Sequence, residues 1–133
     1  MGLQALEKEP VMIRIALAIF LVLHGIAHGV GFASSWRLGE FRDSPLETTL
    51  LAGRLDVGVF GIRVMGILWL VTGAAFVLAA AGVWRDAAWW LPVTASVAVL
   101  SLAMSILGLP EARIGVVIDV LLLASLLFMG RVS

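Results

Sequence analysis

The sequence contains no cysteine and few charged residues. The absence of cysteine excludes disulfides, thiolate metal sites, iron–sulfur clusters and thiol redox chemistry within this chain. Charged residues make up 14% of the 133 residues, whereas soluble domains contain roughly a quarter. Nine basic and nine acidic residues balance to zero net charge, so we expect no nucleic-acid partner. The composition indicates a protein whose main partner is the lipid bilayer.

Long apolar runs fill most of the remaining sequence, with 62% apolar residues and a mean hydropathy of +1.10. A helix needs about 20 apolar residues to cross a bilayer, and four runs approach that length: residues 11–33, 62–82, 88–108 and 113–129. Short connections, "VWRDAA" and "LPEA", join the last three runs and predict antiparallel neighbours. We therefore predict one all-α domain, an integral membrane up-down-up-down four-helix bundle with both termini on one side.

The first apolar run could also be read as a signal peptide, because "GFASS" resembles a cleavage site. The segment before the run is long and contains Glu7 and Glu9, and the run exceeds the usual apolar length of a signal peptide. We therefore expect this segment to remain as the first helix.

The long connection after the first helix contains a helix-start signature, "SPLE". Ser44 has the character of an N-cap, Pro45 suits the first helical position, and Glu47 follows the cap by three residues. Gly53 is the predicted end of this helix. The pattern predicts a short interfacial helix over residues 45–52, lying across one end of the bundle.

Small residues recur at helical spacing on two of the predicted helices. Gly25 and Gly29 form a G-x-x-x-G step that predicts close approach of a neighbouring helix. On the third helix the recurring small residues are Thr94, Ala98, Ser101 and Ser105. This stripe is either a packing surface or the wall of a cavity.

Three titratable residues are predicted to lie at membrane depth. His24 and His28, the only histidines, are four residues apart and share a helix face with Arg14. At 1.5 Å per residue from the long-loop end, His28 lies about 8 Å deep, His24 about 13 Å and Asp119 about 10 Å. An unpaired carboxylate at this depth is too unfavourable to persist. We predict that Asp119 lies within hydrogen-bond or one-water distance of a histidine.

Several kinds of chemistry suit this pocket. His24, His28 and Asp119 can handle protons as acid, base or relay, and the same three residues are the ligand types of a facial-triad site for a divalent metal. A quinone carbonyl, a polar lipid headgroup or one axial position of a haem are further candidates. Bridging between helices without catalysis is the structural alternative. Residues predicted to line a ligand are Arg14, Arg63, Ser101 and Ser105.

The first helix resembles the DoxX-like group of small four-helix bacterial membrane proteins. The resemblance is carried by "RIALAIFLVLHGIAHGVGF", in which Arg14, His24, Gly25 and Gly31 match the group's pattern. His28 stands where many members have a lysine. The resemblance covers about a seventh of the chain and implies a bacterial inner-membrane protein near redox or quinone metabolism.

Two functions follow as hypotheses. The first is binding of a small lipophilic or quinone-like ligand in the His/His/Asp pocket, with proton transfer as an option, within a membrane redox system. The second is a non-catalytic accessory subunit of a larger membrane complex, in which the cluster only holds the helices together. A redox partner or a second copy of the chain is an expected partner in either case, and whether the chain is an enzyme stays open.

Overall fold

Four long helices dominate the computed structural model, which describes the backbone of residues 2–132 and the side chains of residues 10–131. They are α1 (Gly2–Ser35), α2 (Gly58–Trp84), α3 (Trp90–Leu107) and α4 (Arg113–Val132). All four are long and apolar enough to cross a membrane. The predicted all-α class and the number of long helices are confirmed, although α1 begins at Gly2 rather than at residue 11.

The interior of the bundle contains polar as well as apolar side chains, and large apolar side chains cover much of its surface. The side chains buried between helices include Thr72, Thr94, Ser101, Ser105 and Asp119. Large apolar side chains such as Leu23, Ile26, Leu121 and Leu127 are more than half exposed. An apolar surface of this extent is an aggregation hazard in water, whereas lipid tails solvate it. The structure therefore indicates a multi-pass membrane protein embedded in lipid.

The first two helices pack closely along their length, with residue numbers running in opposite directions. Arg14 of α1 pairs with Asp86, just beyond the end of α2, at 2.6 Å. Further along, a Cβ atom added at Gly25 would lie 2.6 Å from the carbonyl oxygen of Gly73. The bare glycine surfaces therefore allow the two backbones to approach at the level of the histidines.

The predicted G-x-x-x-G contact is only half correct. Gly25 faces α2 closely, but a Cβ atom added at Gly29 would meet nothing within 4 Å. The contact face of α1 is centred on Leu21 and His28, both of which are buried. Successive residues turn by about 100° around a helix, so Gly29 falls at the edge of that face. The predicted close approach of a neighbouring helix at Gly29 is therefore wrong.

The buried polar side chains form a layer between two apolar clusters. The larger cluster includes Leu21, Phe76 and Leu122, and the smaller one contains Leu50, Met65 and Met104. Apolar packing on both sides excludes water from the intervening layer, so polar groups there must satisfy one another.

The predicted interfacial helix over residues 45–52 is wrong. The connection instead contains a short 3₁₀ turn, Gly39–Phe41, followed by a two-stranded antiparallel hairpin of β1 (Thr49–Leu50) and β2 (Leu55–Asp56). Leu51 and Ala52 occupy the turn with positive φ angles of 52° and 56°. That conformation costs roughly 1–2 kcal/mol for each non-glycine residue, so other contacts must stabilise it.

Those contacts come from the distant α3–α4 connection. The backbone N–H groups of Leu51 and Ala52 donate to the carbonyls of Leu107 and Leu109, each at 2.8 Å. Leu50 is buried within the smaller apolar cluster, beside Met65 and Met104. A capping signature contributes about 1 kcal/mol, and these tertiary contacts outweigh it.

Candidate functional site

A buried hydrogen bond between α1 and α4 is the centre of the polar layer. Nε2 of His24 lies 2.9 Å from Oδ1 of Asp119. The Asp119 side chain is fully buried, and His24 is 7% exposed. The predicted contact between Asp119 and a histidine is confirmed. It joins residues at opposite ends of the sequence, so it ties the first helix to the last.

The second carboxylate oxygen of Asp119 is bound by two hydroxyls from α3. Ser101 Oγ lies 2.7 Å from Oδ2, and Ser105 Oγ lies 3.2 Å from the same oxygen. Both serines are buried. The small, partly polar stripe predicted on the third helix therefore faces the interior, and its hydroxyls contact the carboxylate.

The second histidine, His28, is connected to the Asp119 carboxylate by hydrogen bonds through Ser101. His28 Nε2 lies 2.9 Å from Ser101 Oγ, and His28 Nδ1 lies 2.8 Å from the carbonyl oxygen of His24. The two imidazole rings meet edge to face, with centroids 4.8 Å apart. We call the five residues His24, His28, Ser101, Ser105 and Asp119 the polar cluster.

Two glycines make room for this arrangement. A Cβ atom added at Gly73 would lie 3.1 Å from Cβ of His28, and one added at Gly115 would lie 2.7 Å from Oγ of Ser105. Gly115 precedes Asp119 by four residues and therefore shares its face of α4. The glycines allow α2 and α3 to approach the layer closely enough for its hydrogen bonds to form.

Aromatic rings enclose the histidines, and sequence reasoning missed them. The Phe76 ring lies 4.8 Å from the His24 ring and 5.3 Å from the His28 ring, and Trp69 lies 5.1 Å from His28. Trp69 and Phe76 are seven residues apart on α2, which places them on one face. The sequence signal for this face was Gly73, which lies between the two aromatic residues. A residue without a side chain allows a neighbouring helix to approach closely.

The structure does not bring the two predicted arginines to the polar cluster. Arg14 shares the histidine stripe but precedes His24 by ten residues, about 15 Å along the helix, and its ion pair is with Asp86. The Arg63 guanidinium lies over the Trp36 ring, 5.2 Å from its centroid. Helical spacing predicts which side of α1 a residue faces but not its depth in the bundle. Arg14 was predicted to line the ligand site because it faces the same side as the histidines.

The donor atoms of the cluster do not fit a divalent metal. His24 Nε2 lies against Asp119 and His28 Nε2 against Ser101, so each of these ring nitrogens has a hydrogen-bond partner within the cluster. Among the side chains of residues 10–131, no group of three His, Asp or Glu residues has a metal-binding arrangement. The arrangement instead suits the holding and passing of protons.

An apolar groove of about 650 Å³ lies between α1 and α4, beside the cluster. Its lining residues are Ile13, Ala16, Leu17, Phe20, Leu121, Ala124, Ser125, Phe128 and Met129. The Phe20 ring stacks on the His24 ring at 5.7 Å with an interplanar angle of 8°. Phe20 therefore forms the contact between the groove and the buried imidazole.

Comparisons with protein-family models, curated protein sequences and solved structures find no match for this chain. The resemblance of the first helix to DoxX-like proteins stays a prediction.

Proposed function

We propose that this protein is an up-down-up-down four-helix membrane protein that binds a lipophilic, quinone-like molecule between α1 and α4. The groove beside His24 is the observation that carries the proposal. Its volume of about 650 Å³ falls within the usual 300–1,000 Å³ of small-molecule sites. Its lining is almost entirely apolar, which suits an alkyl or isoprenoid tail.

The polar end of the site is His24, behind the Phe20 ring. A ligand carbonyl reaches this imidazole when the Phe20 side chain rotates away from its stacked position. A quinone takes up two protons and two electrons on full reduction. The polar cluster can supply a proton, and the electrons must come from a redox partner. Membership of a bacterial inner-membrane redox system, as the DoxX-like resemblance implies, belongs to this proposal.

A quinone titration tests the groove. The probe is a benzoquinone with a decyl tail, and its binding is measured by quenching of tryptophan fluorescence in detergent. We expect saturable binding by the parent chain and at least about tenfold weaker binding by Ala124→Phe, which corresponds to about 1.4 kcal/mol. The phenyl ring would occupy the groove that Ala124 lines.

Ala103→Phe is the matched control, because Ala103 is an exposed alanine on α3 outside the groove lining. Its affinity for the probe should equal that of the parent chain. Equal weakening by both substitutions, or no saturable binding by the parent, would reject the groove as the binding site.

A non-catalytic accessory subunit is the second candidate, and one observation favours it. The carboxylate and both Nε2 atoms form their hydrogen bonds within the cluster. On this reading Asp119→Asn changes the free energy of unfolding by less than about 1 kcal/mol, because an amide still bonds to imidazole and hydroxyl groups. Asp119→Ala leaves those partners unsatisfied and should cost about 1–3 kcal/mol. Thermal unfolding in detergent measures both, and failure of the parent to bind the quinone would leave this candidate standing.

A further inference from the structure

The Ser101 hydroxyl contacts both His28 and Asp119, and each of these two hydrogen bonds needs one hydrogen atom. The hydroxyl supplies only one hydrogen, so the other must come from His28 or from Asp119. Its Oγ lies 2.9 Å from His28 Nε2 and 2.7 Å from Asp119 Oδ2. If the hydroxyl donates to Asp119, then His28 must donate to Ser101 from Nε2. If the hydroxyl donates to His28, then Asp119 must carry a proton and donate to Ser101.

The contact of the other ring nitrogen, Nδ1, fixes the protonation state of His28 in each arrangement. His28 Nδ1 lies 2.8 Å from the carbonyl oxygen of His24, and a carbonyl oxygen only accepts. Nδ1 therefore carries a hydrogen in both arrangements. In the first arrangement His28 has hydrogens on both nitrogens and is a cation beside an ionised Asp119. In the second, His28 and Asp119 are both neutral.

We infer that the polar cluster is a proton-binding site that holds one proton beyond those of a neutral His28 and an ionised Asp119, and that Ser101 passes it between them. In the transfer, the Nε2–H bond of His28 breaks and that proton bonds to Ser101 Oγ. The original Oγ–H bond breaks at the same time, and its proton bonds to Asp119 Oδ2. The net charge of the three residues is zero before and after.

Burial favours this proton count. Asp119 is fully buried and His28 is 4% exposed, so a carboxylate with two neutral imidazoles would leave a net charge in the apolar layer. Such a charge is costly unless it is paired. Both arrangements with the extra proton avoid that cost.

The surroundings of the cluster contact both charges of the first arrangement, the His28 cation and the Asp119 carboxylate. Trp69 and Phe76 of α2 place their rings 5.1 and 5.3 Å from the His28 ring, tilted by 53° and 56° to it, which is within the distance of about 6 Å at which an aromatic ring interacts with a cation. His24 and Ser105 contact the two oxygens of Asp119 and favour the carboxylate. Transfer of the proton from His28 to Asp119 neutralises both residues, so the second arrangement needs no contacts that stabilise charge.

The proton count follows from the contacts alone and holds for a chain that binds no ligand. Delivery of this proton to a quinone-like molecule through His24 rests on the proposed function. The test therefore uses the full chain in detergent without any quinone, so that its result is separate from the outcome of the titration.

Two spectroscopic measurements on the unmodified chain test the count. Nitrogen-15 NMR of the imidazoles measures the fraction of His28 that is doubly protonated. Infrared difference spectra against Asp119→Asn measure the fraction of Asp119 that is a neutral acid. At neutral pH we expect the two fractions to sum to about one. A neutral His28 together with an ionised Asp119 would overturn the inference.

Ser101→Ala tests the relay, with Ser105→Ala as its matched control. Both serines contact Oδ2 of Asp119, but only Ser101 contacts His28. We expect Ser101→Ala to leave His28 singly protonated, with the proton on Asp119, whereas Ser105→Ala retains the parent spectrum of His28. The same His28 spectrum in both variants would refute a relay through Ser101. If Ser101→Ala does not fold, the sum of fractions in the parent decides the inference.

Discussion

Gly25 is one of the glycines at which the first two helices approach each other closely. The Cβ atom of an alanine there would lie 2.6 Å from the backbone carbonyl oxygen of Gly73. Backbone cannot rotate away as a flexible side chain does, so the helices themselves would have to separate. That movement would also disturb His24 and His28, which lie beside Gly25 on the same face.

We expect Gly25→Ala to lower the free energy of unfolding by about 1–3 kcal/mol, the usual cost of overpacking a buried position. Gly29→Ala is the control from the same helix, because its added Cβ atom meets nothing within 4 Å. It should leave stability unchanged or raise it by up to about 1 kcal/mol through helix propensity. Thermal unfolding in detergent measures both, and equal melting temperatures would contradict the packing.

The polar cluster was predictable at the residue scale to a limited extent. The pairing of Asp119 with a histidine followed from depth and from the cost of burying an unpaired charge. The sequence did not predict which side chains hydrogen-bond to each other within the cluster, because the rotation of each helix about its axis decides which atoms meet. Ser101 and Ser105 were predicted to line a ligand, and the structure shows them bound to Asp119.

At the scale of elements, one carboxylate organises the hairpin between α1 and α2. Asp56 accepts hydrogen bonds from the Thr48 hydroxyl and from the Gly58 N–H, each at 2.9 Å. The bond from Gly58, and then the bond from Thr48, lower the pKa of Asp56 below its ordinary value. A lowered pKa in the folded state means that ionised Asp56 stabilises the hairpin.

Asp56→Ala should weaken the attachment of the hairpin to the α3–α4 connection. Hydrogen exchange of the Leu51 and Ala52 amides, which bond to Leu107 and Leu109, should become severalfold faster than in the parent. Asp43→Ala, in the same connection, is the control and should retain parental protection. If the two variants exchange alike, the hairpin does not depend on Asp56.

The same amides provide a pH test of the hairpin. The stabilisation from Asp56 is present above the ordinary aspartate pKa and is lost as the pH falls through the lowered pKa of the folded state. Protection of Leu51, corrected for the intrinsic exchange rate, should therefore fall at acid pH in the parent. It should change less with pH in Asp56→Ala, which has no carboxylate to protonate.

For the whole molecule, the proposed four crossings make a prediction about sidedness. The chain has no cysteine, so one introduced thiol is the only labelling site in each variant. In sealed vesicles, Asp86→Cys and Arg131→Cys should react with an impermeant maleimide from one side, and Arg42→Cys and Glu111→Cys from the other. The unmodified chain is the control and should remain unlabelled. Labelling of Asp86→Cys and Arg131→Cys from opposite sides would reject the topology.

The sequence by itself determined the number of long helices and the expectation of a lipid environment. Apolar runs of spanning length and a low charge content reflect the solvent that surrounds the chain, and they do not depend on how the helices meet. The same reasoning placed two histidines and one aspartate at a common depth, because depth follows from the number of residues along a helix.

The tertiary structure decided the contacts that depend on rotation and on distant segments. Helix rotation turned Gly25 toward α2 and left Gly29 at the edge of the contact face. Backbone bonds to the α3–α4 connection replaced the predicted helix over residues 45–52 with a hairpin. Helix rotation also placed Ser101 between His28 and Asp119. Side chains separated by 18 and 73 positions in the sequence meet there, and no local signal encodes such a meeting.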